Sequence, residues 1–267
     1  MTDTGHFLNQ MRATAPLVHN ITNYVAMNIM ANVLLAAGAS PAMVHALPEV
    51  EEFAGLAQAL SVNIGTLDPD WATAMEHAAQ VMVAAQKPWV LDPVGVGATR
   101  FRQQVCTRLL ALRPAVIRGN ASEIIALASL GAGSGGATGK GADSADPVEA
   151  AEAAARQLAA SCGAVVAVSG PVDYITDGVD AWRVANGHPL MPRITALGCA
   201  LNGVIAAFLV GQPALPATVA ALAYYGLAGE RAAQAAQAPG GFQAAFLDAL
   251  YTLTPQDLSA GAKVARA

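Results

Sequence analysis

The chain has 267 residues, with 14 Lys and Arg against 19 Asp and Glu, so 12% of it is charged where a soluble domain carries about 25%. Its 54% hydrophobic content can fill a large core, which excludes a disordered chain, and a net charge of −5 with scattered basic residues excludes a nucleic-acid partner. A mean hydropathy of +0.42 raises the question of a membrane protein, and residues 194–229 carry no charge. That stretch is broken by Gly198, Asn202, Gly203, Gly211, Pro213 and Pro216, and its longest wholly apolar run, Val204 to Val210, is far short of the roughly 18 residues that a span needs. A buried helix is expected there, and no membrane partner. Asp3 precedes any basic residue and no apolar run follows it, so no secretory signal is expected. Cys106, Cys162 and Cys199 are odd in number and far apart, which fits neither a disulfide framework nor a Cys-x-x-Cys metal site and points to a reducing compartment, the cytoplasm.

In chain order, Asn23 can cap a helix over Tyr24 to Ala37 that stops at Gly38, and Ala42 to His45 reads as a strand. Pro48 opens a helix over Glu49 to Leu60, followed by a strand at Val62 to Gly65. Asp70 precedes a helix over Trp71 to Gln86 that Pro88 stops, and the strand Trp89 to Asp92 follows. The series continues with helix Phe101 to Leu112, strand Val116 to Gly119, helices Ser122 to Leu130 and Pro147 to Ala160, and strand Val165 to Ser169. Between them, Gly131 to Asp143 is rich in Gly, Ala and Ser and reads as a mobile surface loop. Tyr174 to Thr176 and Ala181 to Val184 flank Asp177-Gly178, which suits a tight hairpin turn. Helices are expected over Cys199 to Val210, Pro216 to Ala238 and Gly241 to Leu253. Short apolar strands alternating with helices imply an α/β fold with a mostly parallel central sheet and helices on both faces, whose ligands bind at the carboxyl ends of the strands.

The strand ends therefore hold the chemistry. Asp92 either orients a magnesium ion through water or bonds the backbone of its own turn. The following Gly95-Val96-Gly97-Ala98-Thr99-Arg100 lacks the third glycine of a dinucleotide fingerprint. Arg118-Gly119-Asn120-Ala121-Ser122-Glu123 brings a guanidinium to grip phosphate and a carboxylate to hold metal-bound water, and the same residues read as a helix start with Asn120 as cap and Glu123 as its partner. Thr195-Ala196-Leu197-Gly198-Cys199 opens a helix whose unpaired N–H groups suit anionic oxygen. The helix dipole is expected to lower the pKa of Cys199, unless it is a buried structural cysteine. The five histidines form no pair at metal-binding spacing, and only His19 and His45 follow predicted strands. A Walker loop at Gly139-Lys140 is excluded, because Ser134 and Gly141 stand where it needs Gly and Ser or Thr.

Together these blocks resemble the hydroxyethylthiazole kinase family of the ribokinase-like superfamily. The resemblance runs in order through residues 18–25, Gly38-Ala39-Ser40-Pro41-Ala42-Met43, Asn63-Ile64-Gly65-Thr66-Leu67, Leu91-Asp92-Pro93-Val94-Gly95, residues 117–123 and 173–178. It implies a ribokinase-like three-layer fold and ATP-dependent phosphorylation of the hydroxyl of 4-methyl-5-(2-hydroxyethyl)thiazole with Mg²⁺, in thiamine salvage. By position it implies Met43 and Ala196 at the thiazole, Arg118 and Ser169 at the nucleotide phosphates, Asp92 and Glu123 at the metal, and Cys199 as the catalytic group that accepts the hydroxyl proton. It further implies a homotrimer with sites between subunits. A related small-alcohol kinase, or a non-catalytic nucleotide- or thiazole-binding descendant, would share these blocks. One domain is expected over residues 1–267, with 255–267 as a flexible tail. Where the family has Gly-Thr, this chain has Ala196-Leu197, and Ser169 replaces a threonine. Ala196 is expected either to strain the backbone or to crowd the ligand, with Leu197 adding bulk beside it.

Overall fold

The computed structural model describes residues 3–131 and 148–267. Its strands are β1 (Leu17–Ile21), β2 (Ser40–Ala42), β3 (Ala59–Asn63), β4 (Trp89–Asp92), β5 (Val116–Asn120), β6 (Val165–Ser169), β7 (Asp173–Thr176), β8 (Ala181–Val184) and β9 (Val264–Arg266). They form one sheet in the order β2-β1-β3-β4-β5-β6-β7-β8-β9, parallel from β2 to β6 and antiparallel beyond. The expected parallel sheet with an antiparallel edge is what the chain builds.

Helices cover both faces. On one lie α1 (Thr4–Thr14), α2 (Met27–Ala37), α8 (Leu197–Phe208), α9 (Ala214–Ala235), α10 (Pro239–Thr252) and α11 (Pro255–Gly261), closing a core around Leu34, Val204, Phe208, Tyr224 and Phe246. On the other lie α3 (Val50–Leu56), α4 (Pro69–Ala84), α5 (Arg100–Ala111), α6 (Ala121–Gly131) and α7 (Val148–Cys162), around Met75, Met82, Trp89, Leu109 and Leu127. A sheet buried on both faces needs strands that are apolar throughout, which is why β4 and β6 stand at their expected limits. No helix among the described residues is long and apolar enough to cross a membrane.

Four expectations change. The predicted helix over 49–60 ends at Leu56, and residues 57–60, helical in composition, turn onto the sheet instead. There Gln58 N–H bonds Leu17 O at 2.9 Å and Leu60 N–H bonds Pro88 O at 3.2 Å, so strand pairing overrides local propensity and β3 starts three residues early. β2 likewise ends at Ala42, where a strand over 42–45 was expected. The tail at 255–267 forms α11, closed by a capping box between Thr254 and Asp257, and β9, which pairs with β8. The Asp177-Gly178 turn is a four-residue loop, with Asp177 Oδ1 accepting from Val179 and Asp180 N–H. The Gly-rich stretch expected as a loop lies, beyond Gly131, outside the described residues.

Candidate active site

Parallel strands end on one edge, and α8 starts above it. Asp92, the last residue of β4, is paired across the ladder with Asn63, the last of β3, so both side chains emerge on the same face. Asp92 is 1% exposed, and its Oδ2 accepts from Asn63 Nδ2 and, at 2.6 Å, from Asn202 Nδ2 on α8. Burial pushes its carboxyl up to about 8, with the nearby charge of Glu123 adding to the rise while Arg118 and the two amides oppose it. Asn63 Oδ1 accepts from Gly65 N–H at 2.8 Å and from Asn23 Nδ2 at 2.9 Å, and Asn23 Nδ2 also reaches Cys199 Sγ at 3.4 Å. A β-carbon on Gly65 would stand 2.9 Å from both asparagine side chains, so only glycine admits them. Asn23 is more than a cap: its Oδ1 takes Ala26 N–H at 2.9 Å, and the helix starts only at Met27.

Both readings of the 118–123 turn meet in Glu123. Its Oε2 accepts from Asn120 N–H at 2.9 Å while Asn120 Oδ1 accepts from Glu123 N–H at 2.9 Å, which is a capping box at the start of α6. Its Oε1 takes Gly95 N–H at 3.0 Å and so ties the turn after β4 to β5. Arg102, which the sequence reading passed over, fixes that region from below, donating to Ile64, Val94 and Gly65 carbonyls at 2.5 to 2.8 Å. Asp92 and Glu123 together fit a hard divalent cation, since a cation would relieve the burial and like charge that hold Asp92 high. Among the described residues no three His, Cys, Asp or Glu side chains gather at one point.

Arg118 closes the other side. Its Nη2 donates to Ser169 Oγ at 2.7 Å and its Nη1 to Gly198 O at 3.1 Å, which holds the fork across β6 and the start of α8. No ion pair among the described residues uses Arg118, and its Nε has no partner. A β-carbon on Gly198 would sit 3.3 Å from Nη1, so glycine lets the guanidinium lie against the helix. No side chain caps α8, which leaves its first N–H groups facing the edge. Ala196, its N-cap, has φ 62 and ψ 7, the left-handed region. Leu197 points away from the edge into the core at 2% exposure, so the expected crowding by its bulk does not occur.

Cys199 corrects the sequence expectation of a lowered pKa. Burial pushes its thiol up to about 11, with Asp92 adding to the rise and Asn23 and Arg118 opposing it. Desolvation outweighs the helix dipole because burial of the sulfur disfavours its charged form more than the helix start favours it. Met43 stands apart: half-buried after β2, it is separated from β4 by β1 and β3. His19 lies inside β1, fully buried, with Nε2 against Val44 O at 2.6 Å, and His45 packs on Trp71 at 4.5 Å between ring centres. Beside the α8 turn, a cavity of about 340 Å³ is bounded by Val25, Ile29, Arg193, Thr195, Pro239 and Gln243.

Known proteins resemble this chain over nearly all of its length. The model of the hydroxyethylthiazole kinase family matches residues 8–256. A hydroxyethylthiazole kinase of Cereibacter sphaeroides is 62% identical over 264 residues, covering 99% of both chains. The structure of a hydroxyethylthiazole kinase protein from Pyrococcus horikoshii OT3 superposes with a TM-score of 0.91 at 40% identity over all of both chains. A ribokinase-like superfamily protein of Enterococcus faecalis shares the fold alone, with a TM-score of 0.67 at 14% identity over 94% of this chain and 95% of its own.

Proposed function

The chain belongs to the hydroxyethylthiazole kinase family, and we propose that it transfers the γ-phosphoryl group of ATP to the hydroxyl of 4-methyl-5-(2-hydroxyethyl)thiazole, a step of thiamine salvage. The observation that carries this reading is Arg118: a guanidinium with no ion-pair partner among the described residues, held at the start of an uncapped helix and close enough to act on the Asp92 carboxyl. Phosphoryl transfer asks of a protein chiefly alignment and charge stabilisation, and this edge supplies both.

In this mechanism Arg118 and the Ser169 hydroxyl grip the nucleotide phosphates, and the N–H groups at Gly198 and Cys199 face the oxygens of the group in transfer. Asp92 and Glu123 would hold Mg²⁺, which when bound neutralises polyphosphate charge. Ala196 contacts the thiazole at this edge, and Met43, which stands apart from it within one chain, contacts the thiazole across the boundary between subunits. With its pKa near 11, Cys199 is a thiol at neutral pH. It orients the acceptor hydroxyl as a weak hydrogen-bond partner; as the new O–P bond forms and the bond to ADP breaks, the hydroxyl proton passes to an oxygen of the transferred phosphoryl group. The protein works as a homotrimer in the cytoplasm, where its free cysteines stay reduced. Tyr24 and Val25, 61% and 62% exposed beside Asn23, supply an apolar rim that a second subunit would cover.

A coupled assay of ADP release with ATP, Mg²⁺ and the thiazole alcohol tests the activity. ADP release that does not depend on the alcohol overturns it. Sedimentation at micromolar concentration tests the assembly, and a monomer there contradicts the trimer.

A further inference from the structure

The carboxamides that link Asp92 to Cys199 have a direction, and that direction can be read from the backbone. An asparagine amide has one accepting and one donating end, and its partners decide which end points where. Gly65 N–H can only donate, so Asn63 Oδ1 must face it, and Asn63 Nδ2 is left to face Asp92. In the same way Ala26 N–H fixes Asn23 Oδ1, which turns Asn23 Nδ2 toward Asn63 Oδ1 and Cys199 Sγ. Rotating either amide by half a turn would set an NH₂ group against a backbone N–H. Two turns of the chain, after β1 and after β3, thus decide the polarity of groups whose partners are up to 176 residues away.

We propose that Asn63 and Asn23 are positioning residues for the two sides of the transfer: Asn63, assisted by Asn202, holds Oδ2 of Asp92 as an acceptor so that its other oxygen faces the cation, and Asn23 holds the Cys199 sulfur toward the acceptor hydroxyl. Asn202 fits the assisting role because only its donating end is used; its Oδ1 is buried without a partner. Gly65 belongs to the same device, since a side chain there would part the two amides. The inference rests on the reading of Asp92 as the cation-side carboxylate, and its test separates the two.

Serine at position 63 or 23 can still accept the local backbone N–H but is too short to bridge onward. Mn²⁺ binding to the intact protein, followed by electron paramagnetic resonance, is measured for wild type, Asp92→Asn, Asn63→Ser and Asn23→Ser, alongside melting curves. Asn63→Ser is expected to weaken Mn²⁺ binding by about tenfold or more, as loss of a partner behind a metal ligand commonly does. Asn23→Ser is expected to leave Mn²⁺ binding within about twofold and instead to lower kcat with the thiazole alcohol at unchanged KM for ATP, the mark of lost alignment. Wild-type Mn²⁺ affinity in Asn63→Ser, with binding lost in Asp92→Asn, overturns the positioning role alone. Wild-type affinity in Asp92→Asn overturns the cation-side reading itself. Equal weakening by Asn63→Ser and Asn23→Ser overturns the division of labour. Should Asn63→Ser not fold, Asn202→Ala removes the second donor to the same oxygen, and unchanged Mn²⁺ binding there overturns the proposal.

Discussion

The two halves of the site edge are built on different length scales. At β5 and α6, Asn120 and Glu123 lie three residues apart and bond each other, and Arg118 sits on the same strand. Between the turn after β1, β3, β4 and α8, the bonds join residues 40, 29, 110 and 176 positions apart. The first half is a local motif that doubles as a helix cap; the second exists only once the sheet and α8 have come together. Removing a side chain should therefore damage the fold in the first half and the chemistry in the second.

Asp92 and Glu123 give the sharpest test. Asp92→Asn keeps an oxygen that can accept from both Asn63 and Asn202 and removes a buried acid, so the melting temperature should not fall. Its Mg²⁺-dependent kcat/KM should drop by on the order of a thousandfold, the scale of a lost electrostatic group at a reacting centre. Glu123→Ala loses the capping box and the tie to Gly95, which should cost about 1–2 kcal/mol of stability in thermal melts besides its loss of activity. If Asp92→Asn melts well below wild type while Glu123→Ala does not, the contrast between the halves is reversed.

Cys199 tests how far burial governs the second half. With a pKa near 11, its thiolate at pH 7.5 should be about two to three orders of magnitude scarcer than that of an ordinary cysteine near 8.5. Alkylation by iodoacetamide, followed on the peptide that contains Cys199, should be slower by a similar factor. Because the thiolate is the reactive form, the rate should rise about tenfold per pH unit up to pH 10. A rate that levels off near pH 8 would restore the dipole-lowered thiol that the sequence suggested.

Arg118→Lys bridges the halves, for Arg118 joins Ser169 on β6 to Gly198 on α8. Lysine keeps the charge and loses the planar fork, so kcat/KM should fall by about tenfold, equivalent to about 1.4 kcal/mol, with little change in melting temperature. An unchanged rate with saturable ATP would make Arg118 a structural residue.

The same division decides what the sequence discloses. Apolar strands buried on both faces, such as β4 and β6, are plain because nothing polar interrupts them. β1 is fully part of the sheet yet no bounds were predicted for a strand there, since His19 and Asn20 break its apolar run and their burial depends on the carbonyls they meet, Val44 O for one and those of Val18 and Ala42 for the other. α1 (Thr4–Thr14) was missed as well, and it joins the core through Phe7, Leu8 and Met11. At the site, Asp92, Glu123, Arg118 and Ser169 can be read from strand ends and family blocks. Asn202 carried no signal beyond breaking an apolar run, and Asn23 none beyond a cap and its place in a family block, because amides acquire a role only through the groups they meet. The Cys199 pKa was misjudged for the same reason: a helix start is local and visible, whereas desolvation depends on everything packed around it.

The smallest expected effect concerns Ala196, where local geometry and site chemistry coincide. The left-handed φ of 62 costs a β-carbon about 1–2 kcal/mol. Glycine would release that strain but gives back about 0.4–1 kcal/mol through the freer unfolded chain. Ala196→Gly should therefore stabilise by about 0.5–1 kcal/mol, which in a chain of this size raises the melting temperature by about 2 °C. Leu197→Thr acts in the opposite direction, because Leu197 is buried against α9 and its carbonyl accepts from Tyr225 Oη at 2.8 Å. Exchanging that side chain for threonine should cost about 2 kcal/mol of apolar burial, so the double change to Gly-Thr should melt below the single one. Turnover should rise modestly in Ala196→Gly, within about threefold, the factor that well under 1 kcal/mol of alignment allows. Melting curves and kcat/KM for the two variants decide it: a lower melting temperature in Ala196→Gly would mean that the alanine methyl makes contacts worth more than the backbone strain, and that this turn is adapted to the residue it carries.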